Sequence, residues 1–112
     1  MGVTERPLIL WFLAAHGELV DKKVLAKAIH EIERSRPLSY EWLNFGEGSV
    51  WSYDLQGDIL FLKDSGLIEE FDKRFIRIKE HVATKIKARE KELEKYYGLS
   101  ANEVKNLLGG KG

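Results

Sequence analysis

Ser52-Tyr53-Asp54-Leu55-Gln56-Gly57-Asp58-Ile59-Leu60-Phe61-Leu62-Lys63-Asp64-Ser65-Gly66-Leu67-Ile68-Glu69-Glu70-Phe71-Asp72-Lys73-Arg74-Phe75-Ile76-Arg77-Ile78 is the stretch that decides the fold. Ser52 is a residue type that caps helix N-termini, because its hydroxyl accepts from backbone amides that have no partner inside the helix. Leu55, Ile59 and Leu62 recur at i, i+4 and i+7, which is one face of a helix. Ser65-Gly66 stops it at the usual glycine position. Leu67 to Phe71 and Arg74 to Ile78 are then two short β-prone runs on either side of Asp72-Lys73, the pattern of a β-hairpin. Asp-Lys is not the Asn-Gly or Asp-Gly of a two-residue turn, so the tip is expected to run one or two residues longer.

Working back from this stretch, a first helix starts near Pro7 and ends at Gly17. Its run Leu8-Ile9-Leu10-Trp11-Phe12-Leu13-Ala14-Ala15 is apolar nearly all the way round, as in a central core helix. Asp21 reads as the N-cap of a second helix reaching about Arg34. That helix has Val24, Leu25, Ala28, Ile29 and Ile32 on one face and Lys23, Lys27, Glu31 and Arg34 on the other. Pro37 keeps it from continuing. Leu38, Tyr40 and Trp42 alternate as in a short strand, and Phe45-Gly46-Glu47-Gly48-Ser49 reads as a turn or loop.

Forward of the stretch, Lys79–Tyr97 reads as one long charged helix. Its seam is Val82, Ile86, Leu93 and Tyr96, with Arg89 in the slot between. Gly98 breaks it. Ser100-Ala101-Asn102-Glu103 is a capping box opening a short helix with Val104, Leu107 and Leu108. The tail after Gly109 is expected to fray.

The chain has 112 residues, one domain's worth. Its 44% hydrophobic and 11% aromatic content is that of a folded chain. Cysteine is absent, which removes disulfides, thiol nucleophiles and cysteine-held metals together. The apolar run of the first helix is short of the ~20 residues of a membrane span and has no cleavage pattern, so a soluble intracellular protein, cytoplasmic and without signal peptide, is expected. Asn and Gln are sparse and 32% of residues are charged, a composition that fits a thermophilic source.

The order of elements, three helices, a hairpin and a long helix, resembles a winged helix–turn–helix domain. The residues that carry the resemblance are Leu55-x-x-Asp58-Ile59-x-x-Leu62-x-x-x-Gly66-Leu67-Ile68, then Asp72-Lys73-Arg74. In winged-helix transcriptional regulators the third helix commonly ends in a Leu-x-x-x-Gly-Leu-Ile phrase. In MarR-like and PadR-like members an Asp-x-Arg precedes the second wing strand. Ser49-Val50-Trp51-Ser52-x-x-Leu55-x-x-Asp58 is also similar to the Gly-Pro-Tyr-Ser phrase of Panacea-type antitoxin domains, with Ser49-Val50 in place of Gly-Pro. The fold class implied is mainly α with a small β-hairpin (α+β), a winged helix–turn–helix over residues 1–78. A long C-terminal helix would follow over 79–97, and a short capped helix with a tail over 98–112.

Charge separates two functional expectations. Lys and Arg number 18, as do Asp and Glu, so the formal net charge is zero. Residues 38–70 nevertheless hold one base, Lys63, against Glu41, Glu47, Asp54, Asp58, Asp64, Glu69 and Glu70. Residues 71–89 hold Lys73, Arg74, Arg77, Lys79, Lys85, Lys87 and Arg89 against Asp72 and Glu80. Cations neutralise phosphates and carboxylates oppose them. The first expectation is therefore a double-stranded-DNA-binding transcriptional regulator acting through a basic wing, Lys73, Arg74, Arg77 and Lys79. Ser52, Tyr53, Gln56 and Lys63 of the third helix and Lys23 and Lys27 of the second would add weaker contacts. The resemblance implies a homodimer paired through Val82, Ile86, Leu93 and Tyr96. The second expectation is a winged-helix protein-interaction module, antitoxin-like or an adaptor. It would hold a basic partner protein on the acidic face of residues 41–64 and on an aromatic patch of Trp11, Trp42, Trp51, Tyr40, Phe45 and Tyr53. Asp54 and Asp58 also suit the positive end of their own helix.

Catalysis is not expected. His16, His30 and His81 fall on separate elements without metal-ligand spacing. Glu47-Gly48-Ser49 lacks a nucleophile-elbow frame, and Gly46-x-Gly48 lacks a phosphate-loop frame. No cofactor, metal or membrane partner is expected.

Overall fold

The computed structural model describes residues 5–35, 40–47 and 49–109. Its elements, in order, are α1 (Arg6–His16), β1 (Val20–Asp21), α2 (Lys22–Ser35), β2 (Leu43–Asn44) and β3 (Val50–Trp51), then α3 (Tyr53–Asp64), β4 (Ile68–Phe71), β5 (Phe75–Ile78), α4 (Glu80–Ala88), α5 (Glu90–Tyr97) and α6 (Ala101–Gly109). The fold is α+β and mainly helical, with small antiparallel sheets.

α1 is the centre of the molecule. Leu8, Ile9, Trp11, Phe12 and Leu13 are all fully buried. Each such side chain contributes roughly 1.5–3 kcal/mol when removed from water. Gly17 ends the helix at φ 81°, and its amide donates to the Leu13 carbonyl at 2.9 Å. α2 lays Leu25, Ala28, Ile29 and Ile32 against this core, whereas Val24, expected on the same face, is exposed. The Ser52 hydroxyl accepts from the Asp54 and Leu55 amides and starts α3. Leu55, Ile59 and Leu62 then close over the core.

One sheet has the order β1-β5-β4, with Val20 opposite Ile76 and Ile68 opposite Ile78. The tip of hairpin β4–β5 is Asp72-Lys73-Arg74, one residue longer than a two-residue turn. Asp72 and Lys73 both sit in the left-handed region, at φ 54° and 57°. The Arg74 amide donates to the Phe71 carbonyl at 3.1 Å. β2 and β3 form a second hairpin, Leu43 opposite Trp51, with Asn44 Oδ1 holding the Gly46 amide at 2.8 Å. The described part of the expected strand, Tyr40 to Trp42, is irregular; pairing begins only at Leu43. Leu38 and the tail after Gly109 lie outside the described residues.

The expected single helix over Lys79–Tyr97 is two helices, broken at Arg89 with φ −109° and ψ 16°. Residues 82, 86, 89, 93 and 97 would share one face of a straight helix, so Arg89 would be driven into α1. A buried, unpaired guanidinium is strongly unfavourable. The bend turns Arg89 out to solvent, where it lies 3.6 Å from Glu92. Both halves still reach α1. Val82 is buried and Ile86 and Leu93 half-buried on their own core, and Trp11 Nε1 donates to Glu90 Oε2 at 2.9 Å. The bend also changes which tyrosine packs inward: Tyr97 is buried beside Trp11, and Tyr96, expected in the seam, is exposed. The capping box is present, with the Ser100 amide on Glu103 Oε1 at 2.8 Å and the Glu103 amide on Ser100 Oγ at 3.1 Å. α6 buries Val104 and Leu108 in the same core.

Candidate functional site

Hairpin β4–β5 carries the cations expected to seek anions. Arg74 Nε lies 2.8 Å from Asp21 Oδ2, and Arg77 Nη2 lies 2.9 Å from Glu69 Oε1. Lys63 Nζ lies 2.8 Å from Glu70 Oε1, and Lys22 also holds Glu70. Lys73 is exposed at the tip and has no ion-pair partner among the described residues. Lys79 is half-buried at the start of α4. The Arg74 and Arg77 side chains stay 64% and 47% exposed, stacked near Phe75 and Phe71. Of the four cations expected on the basic edge, Arg74 and Arg77 are thus paired in place, and Lys73 and Lys79 have no ion pair among the described residues.

These pairs also set the acidities. Burial works to raise Asp21, but the Lys23 amide and Arg74 outweigh it and hold the carboxyl below its ordinary value. Lys22 first, and then Lys63, hold Glu70 below the ordinary range. Glu70 in turn raises Lys63.

α3 differs from its expected reading in three ways. Ser52 is fully buried as the helix cap, so it offers nothing to a groove. Asp58 is not a surface charge either. It turns inward, accepting from Tyr40 Oη at 2.5 Å and Arg6 Nε at 2.9 Å. Gln56 remains exposed, and its Oε1 takes the Trp51 indole hydrogen at 3.0 Å.

The third difference is apolar. Tyr53 is 70% exposed, Leu60 44% and Phe61 46%. With Gly57 they form one outward stripe at i, i+4, i+7 and i+8. Beyond its chain neighbours and its own helix backbone, no atom among the described residues lies within 4 Å of where a side chain on Gly57 would begin. Arg6 stacks 3.6 Å from the centre of the Phe61 ring. The aromatic patch expected from sequence therefore divides: Trp11 and Tyr40 belong to the core, Trp42 and Trp51 are half-buried beside it, and Phe45 and Tyr53 face out. Leu60 and Phe61 were missed; the signal was that they lie off the Leu55–Ile59–Leu62 face. Asp54 and Asp64 are exposed acids of α3 itself, and Glu41 lies beside them, its amide donating to Asp54 Oδ2 at 2.8 Å.

A separate cleft of about 410 Å³ lies between α2 and hairpin β2–β3, lined by Lys23, Val24, Lys27, Phe45, Ser49, Val50 and Trp51. His16 ends α1, His30 meets the Trp42 ring edge-on at 5.1 Å, and His81 is exposed on α4. Among the described residues no three His, Asp or Glu side chains gather as a metal site, and no helix is long and apolar enough to cross a membrane. Compared with protein-family models, with curated proteins and with solved structures, the chain finds no match in any of the three.

Proposed function

We propose that the chain is a winged-helix protein-interaction module, antitoxin-like or an adaptor, that holds a basic partner protein on the outward face of α3. The carrying observation is Gly57. A glycine inside a helix is less stable than alanine there by roughly 0.5–1 kcal/mol. Among the described residues nothing occupies the space above it. A close-approaching partner backbone gives that position a use. Tyr53, Leu60 and Phe61 around it supply the apolar anchors of an interface, and Glu41, Asp54 and Asp64 supply a rim complementary to a basic surface. The winged-helix reading is supported by the element order α1-β1-α2-α3-β4-β5 and by the β1-β5-β4 sheet.

A second reading, a double-stranded-DNA-binding transcriptional regulator, is favoured by Lys73 together with the exposure that Arg74 and Arg77 keep on one hairpin. One experiment separates the two. Immobilised wild type, Tyr53→Ala/Phe61→Ala and Lys73→Ala/Arg74→Ala/Arg77→Ala are compared for capture of basic proteins and of mixed-sequence duplex DNA as salt rises. Protein capture lost only in the α3 variant supports the interaction module. Duplex binding that falls steeply with salt, and loses slope only in the hairpin variant, overturns it in favour of the regulator.

A further inference from the structure

The cleft between α2 and hairpin β2–β3 lies outside the α3 stripe and combines two features found together nowhere else among the described pockets. Its walls are apolar, made of Val24, Phe45, Val50 and Trp51. Its only charged residues are Lys23 and Lys27, one helical turn apart on α2, and no Asp or Glu lines it. Several neighbouring cations are paired instead: Lys22 and Lys63 share Glu70, Arg74 has Asp21 and Arg77 has Glu69. Lys23 and Lys27 form no ion pair among the described residues, in a molecule of zero formal net charge. Trp51 already gives its indole hydrogen to Gln56, so what it offers the cleft is its apolar ring surface. Val24 is a β-branched side chain left exposed on an otherwise well-buried amphipathic helix, at the position that lines this space.

We propose that this cleft binds a small aromatic carboxylate, its flat ring against Trp51 and Phe45 and its carboxylate held by the Lys23 and Lys27 ammonium groups. The volume is within the range of small-molecule sites, which are mostly apolar with a few polar groups that fix orientation. An inorganic anion would leave the apolar walls unused, and a neutral ring would leave the two ammonium groups unused. The site stands apart from the α3 surface and does not depend on the partner read there.

The test is a titration of the full chain with naphthoate, followed by the Trp51 indole N–H signal in NMR, which is assigned by its loss in Trp51→Phe. Saturable movement of that signal is expected. The neutral naphthalene methanol should bind at least about tenfold more weakly, as should naphthoate to Lys23→Ala/Lys27→Ala, since a charge-assisted contact is lost. Both lysines are exposed, so this variant keeps the fold. The proposal is overturned by an unmoved Trp51 signal, by equal affinity for the alcohol, or by inorganic phosphate producing the same shift at the same concentration.

Discussion

Tyr40 donates its phenol hydrogen to Asp58 Oδ2 at 2.5 Å, and this bond decides how the acidic character of α3 is read. The same carboxylate takes Arg6 Nε on its other oxygen. Asp58 thereby fastens α3 to the segment entering α1 and to the chain before β2. Replacing it with Ala leaves a buried phenol without its acceptor and a half-buried guanidinium without its counter-ion. Asp58→Ala is expected to lower stability by about 2–3 kcal/mol. Urea unfolding of the two proteins measures the difference.

The same tyrosine sets an alkaline limit. Burial first, and then Asp58, push the Tyr40 phenol well above its ordinary value. Burial and then Glu5 raise Tyr97. A raised folded pKa means that the native state holds protons that the unfolded chain releases from about pH 10 upward. Stability is therefore fully present below that pH and falls as pH climbs past it. Tyr40→Phe should flatten the fall by about 1.4 kcal/mol per pH unit, one proton's worth. Denaturant midpoints measured across the alkaline range test this.

The acid limb has the opposite sign. Glu70 and Asp21 are held below their ordinary values, so they stay ionised where the unfolded chain binds protons. Their contribution is present above about pH 4 and is lost as pH falls below it. Glu70→Gln should flatten this limb, and added salt should do the same to wild type because the pairs are near the surface. Acid titration followed by circular dichroism reads both.

Gly57→Ala should raise stability by about 0.5–1 kcal/mol, since the methyl group meets open space and stiffens the helix. Gly57→Gln should fold equally well and weaken partner capture about tenfold or more. Thermal unfolding and capture by the immobilised variants separate the two effects.

Lys73 sits in the left-handed region at the hairpin tip, which is unfavourable for a residue with a Cβ. Lys73→Gly should therefore stabilise the protein by about 1 kcal/mol. A drop in its unfolding midpoint instead would mean that the ammonium group itself matters to the native state.

What was legible in the sequence was local. Ser52 as a cap, Gly17 as a stop and the Ser100–Glu103 box each act within one turn of chain, so the residue types suffice. The two-residue strands β1, β2 and β3 were not legible, because a pair of residues has no periodicity and their partners are remote or unmarked. Asp58 was misread for the same reason. Its partners are 52 and 18 residues away, and nothing next to it in sequence announces them. The break at Arg89 follows from α1, which an isolated reading of residues 79–97 does not contain. Val24 and Tyr96 were assigned by helical spacing, and each lies at the border of its buried face, where a few degrees decide between inside and outside.

The bond from Trp11 to Glu90, and the packing of α6 on the first helix, add cover to α1 that α2 and α3 do not give. A rod that is greasy all round needs walls on every side. A chain cut after the hairpin would keep part of that shelter and lose the rest, leaving aromatic rings open to water and the fragment prone to clump.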